Sequence, residues 1–252
     1  MVGVDIGGTG CKAALVDLLN GELASERQRI DTPHPATPDA VAQTVVRLLD
    51  VLGGADVIGL TVPAVVRGGV VRSAANIDPE WIGTDAVSLF SEALSTSCTV
   101  LNDADAAGIA EMRFGAGSGR NGVVVVVTLG TGIGTAVFTD GVLVPNTELG
   151  HIELKGMDAE QYAASSVRDR EDLSWKRWGH RVGRYMALLE KLLSPELIIV
   201  GGGVSKKFDR YSDHMLEKTS GETEIVPAQS LNQAGIVGAA IAASRIPSTA
   251  TS

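Results

Sequence analysis

Gly3-Val4-Asp5-Ile6-Gly7-Gly8-Thr9-Gly10 and Thr128-Leu129-Gly130-Thr131-Gly132-Ile133-Gly134 decide the fold of this 252-residue chain. Each glycine cluster follows one apolar, strand-like run and precedes another. Both therefore read as strand–turn–strand hairpins. The Rossmann fingerprint is excluded, because its G-x-G-x-x-G opens a helix, whereas residues 13–16 here continue as a β-run. The two stretches also look like copies of each other. Asp17 lies twelve residues after Asp5 and Asp140 twelve after Thr128, with Gly21 and Gly141 following. An internal repeat of this kind predicts two similar lobes facing one cleft.

Between the two turns lies Leu101-Asn102-Asp103-Ala104-Asp105, a carboxylate motif at the end of a third apolar run. Glycines let backbone N–H groups approach phosphates closely. Two such turns can hold the ends of one polyphosphate chain, and a carboxylate between them can deprotonate an acceptor hydroxyl. That is the layout of a phosphotransferase.

Composition narrows the alternatives. Of the residues 44% are apolar and only 4% aromatic, so Val, Ala, Ile and Leu supply the core, as suits strands buried on both faces of an α/β sheet. The five consecutive valines at 123–127 are too β-branched for helix. A formal net charge of −9 argues against general nucleic-acid or membrane binding, which a basic surface supplies. Cys11 and Cys98 have no metal-ligand spacing, so neither a disulfide framework nor a cysteine zinc site is expected. No stretch reads as a signal peptide or a membrane span, and a cytoplasmic location is expected.

Coarse periodicity predicts strands over residues 2–6, 11–17, 23–30, 57–62, 99–101, 123–127 and 197–200, with a short hairpin around Gly68-Gly69. Helices are expected over residues 38–52, 86–94, 104–113 and about 233–244, and a long amphipathic one marked by Trp178, Val182, Tyr185, Leu189 and Leu192. The polar tail after Arg245 reads as frayed.

Asp5, with Gly7, Gly8, Thr9 and Lys12, is the first candidate phosphate site, and Asp5 suits Mg²⁺ held through water. An ordinary tight hairpin is the plainer reading. Gly130, Thr131 and Gly132, and then Gly201-Gly202-Gly203, are further phosphate candidates. Asp103 is the candidate general base, a role typically worth about 10²–10⁴-fold. Asn102 beside it would orient a neighbouring hydroxyl; an N-cap before Ala104-Asp105 is compatible with both roles. Glu148, His151 and Glu160 suit the hydroxyls of a hexose, although Glu-x-x-His alone is more often a surface or capping pattern. In an acidic chain, Arg177, Arg181 and Arg184, with Lys206 and Lys207, are candidates for holding a long polyanion; the alternative is a solvated face.

Taken together, Asp5-Ile6-Gly7-Gly8-Thr9, Asn102-Asp103, Gly130-Thr131-Gly132-Ile133-Gly134, Glu148-Leu149-Gly150-His151 and Gly201-Gly202-Gly203 resemble the ROK (repressor, open reading frame, kinase) family of sugar kinases over nearly the whole chain. The resemblance implies an α/β, actin-like ATPase / sugar-kinase (ribonuclease H-like) fold with two lobes around a central cleft. The small lobe would span 1–103, completed by a C-terminal helix at about 233–252, and the large lobe 104–232. It also implies Asp103 as catalytic base, with Asn76, Asn102, Glu148, His151 and Glu160 as sugar ligands. The family's cysteine-rich zinc motif is missing. Ala74-Ala75-Asn76-Ile77-Asp78 and Trp81-Ile82-Gly83-Thr84-Asp85 look instead like bacterial polyphosphate glucokinases and glucomannokinases. Those use polyphosphate, often ATP as well, to phosphorylate glucose and sometimes mannose at O6. The family's repressor branch is not expected, since the chain begins at the phosphate turn. A Mg²⁺-dependent homodimer is implied. The rivals are a kinase using ATP alone and a non-catalytic sugar sensor.

Overall fold

The computed structural model describes residues 1–75, 77–230 and 233–244; Asn76 and the tail from Arg245 lie outside the described residues. The chain divides into two units, Met1–Ala110 with the segment from Gln233, and Glu111–Asn232.

In the first unit, β1 (Val2–Ile6) and β2 (Cys11–Leu15) form an antiparallel hairpin closed by the Gly7 N–H donating to the Gly10 carbonyl at 3.2 Å. Next come β3 (Gln28–Ile30), α1 (Pro38–Leu52), β4 (Val57–Val62), the short hairpin β5 (Val66–Arg67) and β6 (Val70–Val71), α2 (Ala86–Leu94), β7 (Ser97–Asn102) and α3 (Asp103–Phe114). The main sheet runs β3-β2-β1-β4-β7, with β4 parallel to both β1 and β7. Helix α1 is set by its ends. Thr37 accepts from the Ala40 N–H, Pro38 occupies the first turn, and Gly53 closes the helix at φ +82°.

The expected third strand over 23–30 is shorter than its sequence suggests. Leu23 makes one isolated bridge with Val16, and regular pairing resumes only at Gln28. The Ser25 hydroxyl accepts the Leu15 N–H at 3.0 Å, so a side chain takes the place of a ladder carbonyl and the chain bends.

The second unit repeats the pattern. Strands β8 (Val123–Leu129), β9 (Ile133–Thr139) and β10 (Val142–Val144) precede β11 (Glu153–Leu154), β12 (Met157–Asp158), α4 (Ala159–Ala163), α5 (Ser165–Arg170) and α6 (Trp175–Leu193). They are followed by β13 (Leu197–Gly201), a 3-10 helix at Gly203–Arg210, α7 (Ser212–Leu216) and β14 (Glu224–Pro227). The main sheet runs β10-β9-β8-β13-β14, the same order and senses as in the first unit. The valine run is its central strand and is buried from Val124 to Val127. On α6 the buried stripe is Trp178, Val182, Tyr185, Met186 and Leu189. Leu192, expected on that stripe, is 53% exposed; at the helix end Leu193 packs against the core instead. Buried Glu111 accepts the backbone N–H groups of Ala116, Gln229 and Ser230, which offsets the cost of enclosing its charge. Among the described residues no helix is long and apolar enough to cross a membrane.

Helix α8 (Ala234–Ala243) returns to the first unit. It is apolar on every side and lies against β1 and β4 at backbone distance. A Cβ at Gly3 would stand 1.9 Å from the Ile236 carbonyl oxygen, and one at Gly59 1.8 Å from that of Ala239. Gly59→Ala is therefore expected to destabilise the protein by at least the ~1–3 kcal/mol of core overpacking. A lowered urea midpoint with unchanged slope is the expected reading.

Candidate active site

Asp5, the penultimate residue of β1, stands opposite Lys12 on β2, and the Lys12 ammonium lies 2.9 Å from Asp5 Oδ2. Thr61, fully buried on β4, donates its hydroxyl to Asp5 Oδ1 at 3.1 Å and accepts the Ile6 N–H at 3.3 Å. Gly235, at the start of α8, faces the same carboxylate; a Cβ there would be 2.8 Å from Oδ1. Asp5 is thus held from the two strands that flank β1, with the start of α8 closed against it. Beyond it, Gly8 and Thr9 are exposed. Arg29 on β3 donates to the Thr9 carbonyl at 3.0 Å, which puts a cation beside the first glycine turn. Sequence reasoning missed Arg29, because Gln28-Arg29-Ile30 belongs to no motif.

Asp103 opens α3 directly after β7 and is half-buried. The Asn102 side-chain oxygen Oδ1 accepts the N–H groups of Ala104 at 2.8 Å and Asp105 at 3.1 Å, while its side-chain amide Nδ2 donates to the Ala64 backbone carbonyl at 3.1 Å. Asn102 is a helix cap in this arrangement, with one amide hydrogen left to orient a neighbour. The capping fixes the first turn and with it the Asp103 backbone. Asn76, expected nearby, lies outside the described residues.

In the second unit the Gly130–Gly132 turn is closed by the Gly130 N–H on the Gly132 carbonyl at 3.0 Å. Ser166 at the head of α5 ties the turn down, its N–H donating to the Gly130 carbonyl at 3.1 Å and its hydroxyl to the Thr131 backbone carbonyl at 2.6 Å. Gly202, at φ +83°, lies against the end of β8, where a Cβ would be 2.3 Å from the Leu129 carbonyl oxygen. The triple glycine therefore stands beside the second glycine turn. Only Gly meets both conditions at position 202, the left-handed backbone and the close approach.

Glu160 on α4 accepts the Ile133 N–H at 3.3 Å and lies 3.9 Å from His151 Nδ1. His151 Nε2 is 3.8 Å from Glu148, and its Nδ1 is 3.1 Å from Asp158. Glu148, His151 and Glu160 are thus gathered in one place, as expected. Asp158 was missed, although it stands two residues before Glu160 and orients the imidazole through Nδ1. Gly150 lets this segment press against β9, since a Cβ would be 2.2 Å from the Ile133 carbonyl oxygen. Burial raises the pKa of Glu148 above the usual carboxylate value, the positive charge of His151 lowers it, and Glu160 raises it again.

The five basic candidates do not form one group. Arg181 pairs with Glu171 at 2.7 Å and Arg184 donates to the Tyr162 hydroxyl at 3.0 Å, while Arg177 is exposed on α6. Lys206 is exposed on the 3-10 helix after the triple glycine, and Lys207 lies over the Trp175 ring with Arg168 and Arg210.

Two units with sheets of the same order, each built on a glycine-turned hairpin, define the actin-like ATPase class of α/β fold. The profile of the ROK family matches residues 1–168, and the chain belongs to the ROK family. The polyphosphate glucokinase of Mycobacterium leprae is 48% identical over 241 residues, 95% of this chain and 73% of that protein. The inorganic polyphosphate/ATP-glucomannokinase of Arthrobacter sp. strain KM superposes with a TM-score of 0.91 at 48% identity, over 97% of this chain and 98% of that one. A ROK family glucokinase from Streptomyces griseus, solved with glucose and AMPPNP, gives a TM-score of 0.84 at 25% identity, over 98% and 99% of the two chains.

Thr61→Val would leave the Ile6 N–H without its acceptor and Asp5 without one donor. A loss of about 1–3 kcal/mol is expected, read from the midpoint of chemical unfolding.

Proposed function

We propose that this protein transfers the terminal phosphoryl group of inorganic polyphosphate or ATP to O6 of glucose, and of mannose, with Asp103 as general base. The observation that carries the reading is the 48% identity to the Arthrobacter polyphosphate/ATP-glucomannokinase across almost the full length of both chains. The local geometry is consistent with it. The Asp103 carboxylate accepts the O6 proton as the O6–P bond forms, and the bridging P–O bond to the donor chain breaks with its electron pair leaving on the donor. Glu148, His151 and Glu160, with Asn76 and Asn102, orient the sugar hydroxyls. Gly7 and Gly130 close their turns with their own N–H groups, and the remaining N–H groups of Gly7-Gly8-Thr9 and Gly130-Thr131-Gly132, with those of Gly201, Gly202 and Gly203, are offered to the donor phosphates. Loose phosphoryl-transfer transition states need such positioning and charge neutralisation more than covalent help.

Mg²⁺ fits the first turn in one manner. Both Asp5 oxygens already accept hydrogen bonds, from Lys12 and Thr61, so the ion would meet this carboxylate through a water that magnesium keeps. When bound it neutralises charge on the donor phosphates. The homodimer implied by the family resemblance belongs to the same reading.

Glucose 6-phosphate formation with Mg²⁺ and either polyphosphate or ATP tests the proposal. Asp103→Asn is expected to lower kcat about 10²–10⁴-fold, while calorimetric glucose binding changes little. Sugar binding without turnover in the wild type would instead mark a sensor, and turnover with ATP alone an ordinary glucokinase. A pH series adds a second check. Glu148 accepts sugar hydroxyls as a carboxylate, and its pKa is raised. On acidification it protonates sooner than a free glutamate, so KM for glucose should begin to rise at a pH above the ordinary value of about 4.3. Glu148→Gln should lack that acid limb.

A further inference from the structure

Trp175 starts α6 and is the half-exposed member of the three tryptophans; Trp81 and Trp178 are fully buried. Three cations converge on its ring: the Arg168 guanidinium at 3.8 Å from the centroid, the Lys207 ammonium at 5.7 Å and the Arg210 guanidinium at 5.8 Å. Arg168 has a neighbouring carboxylate, Asp169 at 2.8 Å, yet its Nε is buried without a hydrogen-bond partner. Among the described residues Lys207 and Arg210 make no ion pair. The ring quadrupole attracts each cation, but like charges this close still repel one another. A multivalent anion would relieve that repulsion. The platform beneath is rigid, since Trp175 stacks on buried Tyr211 at 6.0 Å and meets buried Trp178 edge-on at 5.9 Å.

Where these cations stand says what they serve. Ser166 ties the head of α5 to the Gly130–Gly132 turn, and Arg168 follows two residues later, about 3 Å further along the helix axis. Lys207 and Arg210 sit on the 3-10 helix that begins at Gly203, next to the Gly202 backbone packed on Leu129. Both cation-bearing segments therefore start at the second glycine turn and lead away from it to Trp175. By contrast, Arg181 and Arg184 are engaged with Glu171 and Tyr162.

We infer that Arg168, Lys207 and Arg210, converging on Trp175, hold the distal phosphates of a long polyphosphate whose reacting end lies at the glycine turns. The inference rests on the polyphosphate-donor reading above. It distinguishes the donors physically, because a triphosphate runs out of phosphates where a polymer continues onto further cations.

The test uses the full chain and long-chain sodium polyphosphate, with tripolyphosphate and ATP as short donors. In the absence of sugar, long polyphosphate should change the tryptophan fluorescence of the wild type, and Trp175→Phe should abolish the change. With glucose, the Lys207→Gln/Arg210→Gln double variant should raise KM for long polyphosphate at least tenfold relative to its KM for ATP. The dependence of log KM on log salt should flatten by about 1–2 for the long donor only. An unchanged ratio of the two KM values, or an equal loss with all three donors, would overturn the assignment while leaving the kinase reading intact. Wild-type turnover of ATP but of no polyphosphate would refute the donor reading itself and this assignment with it.

Discussion

Helix α8 lies against β1 and β4 at backbone distance, and the first glycine turn depends on that approach. Its room comes from missing side chains: Gly3 and Gly59 face helix carbonyls at distances no methyl group could occupy. The same contact brings Gly235 onto the Asp5 carboxylate, which Lys12 and Thr61 hold from the neighbouring strands. A wider helix would lift away from the sheet, and the turn after β1 would lose its fixed base. Small residues in α8 thus serve position as much as packing, because interiors this dense transmit a displaced backbone to whatever rests on it.

Charge is arranged on the same economy. The molecule carries a net −9, yet both of its glycine turns have cations close by: Arg29 and Lys12 at the first, and Arg168, by way of the short α5, near the second. Each of these cations also has a carboxylate partner, Asp5 for Lys12, Asp31 for Arg29 and Asp169 for Arg168, so the positive charge beside the turns is locally balanced. The acidic residues around His151 form a separate group. Glu148, Asp158 and Glu160 surround a single imidazole, an arrangement suited to fixing hydroxyl groups by paired hydrogen bonds.

Much of this was legible in the chain. Helix α1 ran as read because Thr37, Pro38 and Gly53 mark both ends, and β4 and α2 matched their apolar runs residue for residue. The valine run could only be a buried strand. The third strand failed because Ser25 replaced a backbone partner with its hydroxyl, an exchange that periodicity does not register. Leu192 failed because helical spacing does not reveal where the core stops. Arg29 and Asp158 carry no motif; only their neighbours in space give them a role.

By itself, the sequence determined the two glycine hairpins, the repeated strand pattern around them and the Asn102-Asp103 pair at a helix start, since local turn chemistry and side-chain period act over a few residues. The tertiary structure alone decided which distant groups meet. Thr61 reaches Asp5 from β4, Glu160 joins the Ile133 backbone, and Arg184 meets Tyr162 while Lys207 lies over Trp175. Those pairings depend on register and on packing between elements far apart in the chain, which no local pattern encodes.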